Sequence, residues 1–347
     1  MNIKKFTVSN DRDIYEAWPD VVQTKNGNLI CVFTECKHHL DRAESRLALC
    51  YSSDRGRTWS EKRYLTEKGS AEDHFNCARI SMMQDGRLAV ICDRVIGPKS
   101  SYSCKTYLWF GDEDGNNWQD PVILPFDGIV PDKLLQLQNG RIIISNHKKN
   151  PVTQKLEQYL WYSDDNGNTW SERIILASDS RYNLCEVSIV ECENNMLVAF
   201  LRENSRIGLP LLKTISYDNG NTWSELYMTT IDCGHRPVAG FLQDGTVMIT
   251  YRYIPVGTQN VFAAFMNKDS LGKTTRREQR VRIMPLDYDR NPSPDLGYTG
   301  WTQFEDGEIY VVNYIKDDCD TAHIRGYSFY PCDVVLPVTE NTTKNVF

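Results

Sequence analysis

The stretch Ser163-Asp164-Asp165-Asn166-Gly167-Asn168-Thr169-Trp170 decides how this chain folds, because the chain carries it three times. It stands also as Ser52-Ser53-Asp54-Arg55-Gly56-Arg57-Thr58-Trp59 and as Ser216-Tyr217-Asp218-Asn219-Gly220-Asn221-Thr222-Trp223. A degenerate copy, Gly111-Asp112-Glu113-Asp114-Gly115-Asn116-Asn117-Trp118, lies between the first two. Turn chemistry accounts for each position: the Asp carboxylate accepts backbone N–H groups, Gly takes the left-handed conformation, and Trp pins the turn to its sheet. These aspartates are expected to be structural staples rather than catalytic carboxylates.

Outward from these copies, a second pattern recurs six times: a strand-like run, a tight turn and an apolar strand. The turns are Asn26-Gly27, Asp85-Gly86, Asn139-Gly140, Asn194-Asn195, Asp244-Gly245 and Asp306-Gly307. Such pairs tolerate the positive φ that two-residue hairpins demand. The strands that follow, such as Leu29-Ile30-Cys31-Val32-Phe33 and Leu197-Val198-Ala199-Phe200, are continuously apolar, as in strands covered on both faces. Successive turns are 59, 54, 55, 50 and 62 residues apart, so six units fill the chain. A strand-rich unit that cannot bury its own face stacks on its neighbours, and closing the ring protects the edges. The expected architecture is an all-β, six-bladed β-propeller of four-stranded antiparallel blades, one domain over 1–347, although length alone suggests two.

Composition bounds the function. The net charge of −7 (39 basic against 46 acidic residues) argues against a nucleic-acid partner, whose affinity rests on clustered Lys and Arg. Abundant aromatic residues (18 Tyr, 12 Phe, 8 Trp) exclude a disordered chain. No apolar run is long enough for a membrane helix, and no apolar core follows Lys4 and Lys5 as in a secretory signal. The 11 cysteines include no CxxC pair, which speaks against zinc and a disulfide framework. A cytoplasmic protein without membrane partner is expected.

Inner strands of a propeller converge, so residues ahead of each hairpin meet near the axis. Nine positions before each turn stand Trp18, Cys77, Pro131, Glu186, Arg236 and Tyr298, with Asp20, Arg79, Asp132, Lys133 and His235 beside them. Polar and aromatic residues at the start of apolar strands suit a site lining; the plainer reading makes them strand ends meeting solvent.

The motif Ser-x-Asp-x-Gly-x-Thr-Trp is the Asp-box, and three copies between six hairpins resemble the sialidase (neuraminidase) superfamily over essentially the full chain. The resemblance implies an exo-glycoside hydrolase that releases a terminal acidic sugar with retention and without a cofactor. It implies Tyr298, in Tyr298-Thr299-Gly300-Trp301, as nucleophile, Glu186 as the carboxylate that accepts its proton, and Arg202 as a carboxylate-binding arginine. A phenol is a poor nucleophile near its free pKa of ~10, so an adjacent base must activate it. The acid/base falls in Glu35-Cys36-Lys37-His38-His39-Leu40-Asp41-Arg42-Ala43-Glu44, with Asp41 chosen by spacing and His38, His39 and Glu44 as rivals. His39 suits proton transfer near neutrality unaided.

Sialidases grip the substrate carboxylate with three arginines. The first belongs to an Arg-Ile-Pro segment, where this chain has Ala17-Trp18-Pro19, and the third has no clear counterpart around Tyr251-Arg252-Tyr253. Arg79, Arg236 and Arg252 are expected to rebuild the pocket, with Asp20, His39, His235 and Trp18 as further contacts to a glycan or acidic sugar. The alternatives are a polysaccharide lyase or a glycosidase for a different sugar, and a glycan-binding propeller without catalysis.

Overall fold

The six apolar strands that follow the hairpin turns are the second strands of six antiparallel sheets, arranged as the blades of a propeller. The structure, a computed structural model, describes residues 2–129, 132–255 and 258–334. The first blade comprises Tyr15–Gln23, Leu29–Cys36, Arg46–Ser52 and Arg63–Tyr64. In the second, the inner strand is split into Asp73–Phe75 and Arg79–Met82, both paired to Leu88–Ile96, followed by Ser103–Gly111 and Val122–Ile123. The third runs Leu135–Gln136, Ile142–Lys149, Leu156–Ser163, Ile174–Ala177, and the fourth Leu184–Glu191, Leu197–Glu203, Pro210–Ser216, Tyr227–Asp232. The fifth runs Gly234–Phe241, Val247–Tyr253, Asn260–Met266, Val281–Tyr288. The sixth joins Thr299–Gln303, Ile309–Ile315 and His323–Phe329 to the amino-terminal strand Lys4–Ser9, whose antiparallel pairing closes the ring.

Burial follows from stacking. Leu29–Cys36, Leu197–Glu203 and Ile309–Ile315 are buried at every residue, because blades cover both their faces. Val32, Leu49, Ile80, Val90 and Trp109 form one cluster across the first two blades, and burial of such side chains contributes about 1.5–3 kcal/mol each.

Five of the hairpins differ from the expected two-residue turns. Only the glycine has positive φ (82–91° at Gly27, Gly86, Gly140, Gly245 and Gly307), and its N–H donates to the carbonyl three residues back at 2.8–2.9 Å. Asn194-Asn195 alone has both residues left-handed, at 59° and 62°. The sequence signal is shared because both turns need a left-handed residue that Gly or Asn supplies.

The repeated motif closes as its residue types dictate. Asp54 accepts from the N–H groups of Arg57 (3.1 Å) and Thr58 (2.9 Å) and from Thr58 Oγ1 (2.7 Å), while Ser52 Oγ donates to Asp54 and accepts from Gly56 N–H (2.8 Å). Asp165 and Asp218 repeat the bonds to Thr169 and Thr222. Gly56 has φ of 79°, and a side chain there would run into the Tyr310 ring, so the position requires glycine.

Candidate active site

Strict alternation along a strand would send every second residue away from the axis, and a one-residue slip reverses all of them. The inner strands break that alternation at one place. In the first, fourth and fifth blades the register gains one residue between Ala17 and Asp20, Cys185 and Val187, and His235 and Val238. The left-handed residues within these bulges are Trp18 (φ 56°), Glu186 (48°) and Arg236 (52°). The second blade gains one residue at its break around Cys77. In the sixth, Gly297 (φ 102°) precedes Tyr298, and a side chain at Gly297 would collide with Arg252. Four of the positions counted back from the turns, Trp18, Cys77, Glu186 and Arg236, thus fall in the irregularities, and bulges of this kind re-aim side chains. Pro131 lies outside the described residues.

The re-aimed groups of three blades meet. Tyr298 Oη hydrogen-bonds Glu186 Oε1, and Arg202 Nη1 donates to Glu186 Oε2 at 2.6 Å while its Nη2 donates to Asn204 (2.6 Å). The guanidinium carbons of Arg236 and Arg252 lie 5.0 and 5.2 Å from the Tyr298 ring centroid. All five side chains are buried. Burial alone would push the Glu186 carboxyl up, but the charges of Arg202, Arg236 and Arg252 outweigh it and hold the group well below the usual carboxylate range. The Tyr298 phenol is pushed far up, by burial first and by the Glu186 charge second. It therefore rests as a neutral donor to an ionised acceptor. Arg202 Nε, all three nitrogens of Arg236 and Arg252 Nε have no hydrogen-bond partner. Buried guanidinium donors without partners are costly, and five around one carboxylate give this centre the unspent donors and surplus positive charge that suit an anion.

Other expected site residues divide. His235 is buried beside Arg202 and Arg252, and burial with those charges lowers its imidazole to about 3, so it is neutral. Trp18 stacks under Arg42, whose guanidinium carbon is 3.6 Å from the indole centroid, and packs edge-on to His39 at 5.4 Å. His39 is part-exposed and pairs with Asp295 at 2.7 Å. Arg79 and Asp20 do not join the pocket. Arg79 donates to the carbonyls of Pro19 (3.2 Å) and Thr299 (3.1 Å), and Asp20 accepts from the N–H groups of Val21 (2.9 Å) and Ile80 (3.0 Å). These two tie the inner strands together. Asp41 bends into its own loop, where Oδ1 accepts from Ala43 N–H (3.0 Å) and its backbone pairs with His38. His38 Nδ1 accepts from Leu40 N–H (3.3 Å), and exposed Glu44 pairs with Lys68 at 2.9 Å.

Sequence reading missed Arg42, His147, Asp295, Tyr15 and Tyr314. His147, at the end of the second strand of the third blade, is buried, and that burial with Arg202 and Arg236 lowers it to about 4. His147, Arg202, Arg252 and Tyr314 all lie in the later halves of second strands, so reading those ends would have found His147 and Tyr314. Tyr15 and Asp295 stand three residues before Trp18 and Tyr298, an offset that the hairpin count passes over.

A family model described as a BNR repeat-like domain matches residues 66–311. Among solved structures, a Dyadobacter fermentans protein of unknown function superposes with a TM-score of 0.79 at 20% identity, over 94% of this chain and 98% of that one. The NanB sialidase from Streptococcus pneumoniae gives 0.69 at 13% identity, over 95% and 70%. The GH93 α-L-arabinofuranosidase of Fusarium graminearum, in complex with arabinobiose, gives 0.67 at 10% identity, over 95% and 98%.

Proposed function

Because this chain belongs to the BNR repeat-like domain family, whose fold it shares with glycosidases, we propose that it is a glycoside hydrolase acting with retention on a terminal sugar that bears an acidic group. Tyr298 Oη attacks the anomeric carbon, and its proton passes to Glu186 along the hydrogen bond already in place. The acid/base comes from the side chains at the rim of the pocket. A neutral phenol suits an anomeric carbon that carries a carboxylate, since a carboxylate nucleophile would be repelled. The observation that carries this reading is the Tyr298–Glu186 bond set among five unpartnered guanidinium nitrogens.

Those arginines also bear on catalysis. In the free protein they hold Glu186 too acidic to be an effective base. A substrate carboxylate on Arg236 and Arg252 would offset their charge and let the Glu186 pKa rise as the sugar arrives. The base is then strengthened by the substrate it serves.

One structural detail favours a second substrate class. Ala17 stands where the sialidase resemblance expects an arginine, Trp18 beside it is buried against His39, and an arabinofuranosidase, named for a sugar without a carboxylate, has a similar fold. Turnover of 4-methylumbelliferyl glycosides of N-acetylneuraminic acid and of α-L-arabinofuranose separates the two classes. Tyr298→Phe is expected to lose at least about 10²-fold in kcat/KM on whichever is cleaved, and wild-type turnover by that variant would overturn the assignment.

A further inference from the structure

The loop expected to supply the proton carries three acidic or basic candidates besides Asp41, and the structure treats only one of them as a proton-transfer group is treated elsewhere in proteins. His39 Nδ1 lies 2.7 Å from Asp295 Oδ2 and 3.0 Å from Tyr15 Oη. Asp295 is fixed in turn. Tyr15 donates to the same oxygen, Tyr314 Oη donates to Oδ1 at 2.9 Å, and the Asp295 N–H donates to Asp289 at 3.0 Å. Burial alone would raise the Asp295 carboxyl, yet His39 and the two tyrosines hold it below its ordinary range, so it stays ionised. An ionised carboxylate on Nδ1 makes that nitrogen the N–H and turns Nε2 outward, as in other histidines that move protons. The His39 side chain is 34% exposed while Asp295 is 18% exposed, which leaves the imidazole accessible and its partner covered.

The dyad is also joined to the nucleophile. The His39 ring packs on Trp18 at 5.4 Å, Trp18 packs on Tyr314 at 6.0 Å, and Tyr314 packs on Tyr298 at 6.2 Å. His39 is therefore the exposed end of a row of rings whose other members, Trp18, Tyr314 and Tyr298, are buried. Charged and titratable groups facing this row are Asp295, Tyr15, Tyr314, the stacked Arg42 and His38, whose ring lies 5.8 Å from that of Tyr15. Asp41, by contrast, is bound into its own turn.

We propose that His39 is the general acid and then the general base of the reaction, and that Asp295 is its positioning residue; this rests on the glycosidase reading above. In the first step the imidazolium Nε2–H protonates the leaving oxygen as the bond from that oxygen to the anomeric carbon breaks. The Tyr298 oxygen bonds to the carbon, and the phenolic proton moves to Glu186. In the second step neutral Nε2 takes a proton from water as the water oxygen bonds to the anomeric carbon. The bond to the Tyr298 oxygen breaks, and Glu186 returns the proton to it. Throughout, the Nδ1–H stays on Asp295.

The test compares leaving groups. A methyl glycoside leaves as a strongly basic alkoxide and needs the acid, whereas a 4-methylumbelliferyl glycoside leaves as a weakly basic phenolate and does not. With both glycosides of N-acetylneuraminic acid and of α-L-arabinofuranose, His39→Ala is expected to lose at least about 10²-fold in kcat/KM on the methyl glycoside and under about tenfold on the umbelliferyl one. Asp295→Asn is expected to lose less, with the same split, and to shift the His39 tautomer seen by long-range nitrogen–proton NMR away from Nδ1–H. Equal losses of His39→Ala on both leaving groups, an Nε2–H tautomer in the wild type, or the split appearing in Asp41→Asn instead would overturn the assignment while Tyr298→Phe still fails on both. A Tyr298→Phe enzyme that keeps turnover, or a wild type that cleaves none of the four, overturns the parent reading and this one with it.

Discussion

Replacing Glu186 by Gln isolates what holds the centre of the molecule together. The substitution keeps the shape and one acceptor for Tyr298 but removes the carboxylate that faces Arg202, Arg236 and Arg252 together, leaving Asp132 beside Arg236. All four side chains are at most 7% exposed, so little water is present to screen the remaining three cations. Breaking a buried pair by removing one partner costs about 3–5 kcal/mol, a large share of the 5–15 kcal/mol typical of folded proteins. Arg202→Met alone costs less, because Arg236 and Arg252 still face the carboxylate. The double variant is expected to be more stable than the sum of the two losses by about 2 kcal/mol, since it removes the 2.6 Å pair as a unit. Urea denaturation at pH 7.5 of the four proteins, with a shared m-value, measures the cycle. Glu186→Gln within about 1 kcal/mol of wild type, or strictly additive losses, would refute the claim that the carboxylate is the counter-charge of a buried arginine cluster.

Acid should unfold the protein early. His147, His235 and His323 are neutral when folded, with pKa values of about 4, about 3 and about 4 against 6.5 in the unfolded chain, so the unfolded state binds more protons and stability falls as pH drops from about 6.5 toward 4. Asp132, raised to about 6 by burial, has the opposite sign and offsets one of the three, which leaves a net slope of about 2.7 kcal/mol per pH unit; a denaturation series flat between pH 6 and 4.5 would contradict this. In the Asp-box, Asp54→Ala removes the acceptor of two backbone N–H groups and of the Thr58 hydroxyl, and is expected to cost about 1–3 kcal/mol by thermal or urea unfolding while kcat/KM stays at the wild-type value; a variant of full stability would show the turn to be held by its backbone alone.

The ring was legible because its signals are local. Ser-x-Asp-x-Gly-x-Thr-Trp closes a turn with its own residues, and the six left-handed turn positions sit within a few residues of the strands they join. The pairing of Glu186 with Tyr298 was legible for a related reason: both stand nine residues before a turn position, so the count places them at the axis, whereas Arg202 was supplied by the resemblance to sialidases. Arg79 and Asp20 stand two residues beyond the counted positions, and they serve the backbone of neighbouring blades, because a residue two beyond the irregularity returns to ordinary alternation. Asp295 and Arg42 were illegible for the opposite reason. Both lie outside the strands, where no periodicity fixes the direction of a side chain, and only the folded ring brings Asp295 to His39 across 256 residues of sequence.

The bulges explain why the axis can change its chemistry without changing its shape. A non-glycine residue with left-handed φ costs about 1–2 kcal/mol, and Trp18, Glu186 and Arg236 all adopt it at one height in three blades. Glycine would relieve the strain at each position but would deliver no side chain, so the strain persists because the group it presents matters. At Trp18 the bulge remains although the neighbouring arginine expected from the sialidase resemblance is replaced by Ala17, and the guanidinium of Arg42 lies 3.6 Å over the Trp18 indole. A cation thus covers that bulge from a connecting loop. Loops accept insertion and exchange more readily than inner strands do, so His39 and Arg42, three residues apart on one loop, can be exchanged without disturbing the strand that carries Trp18.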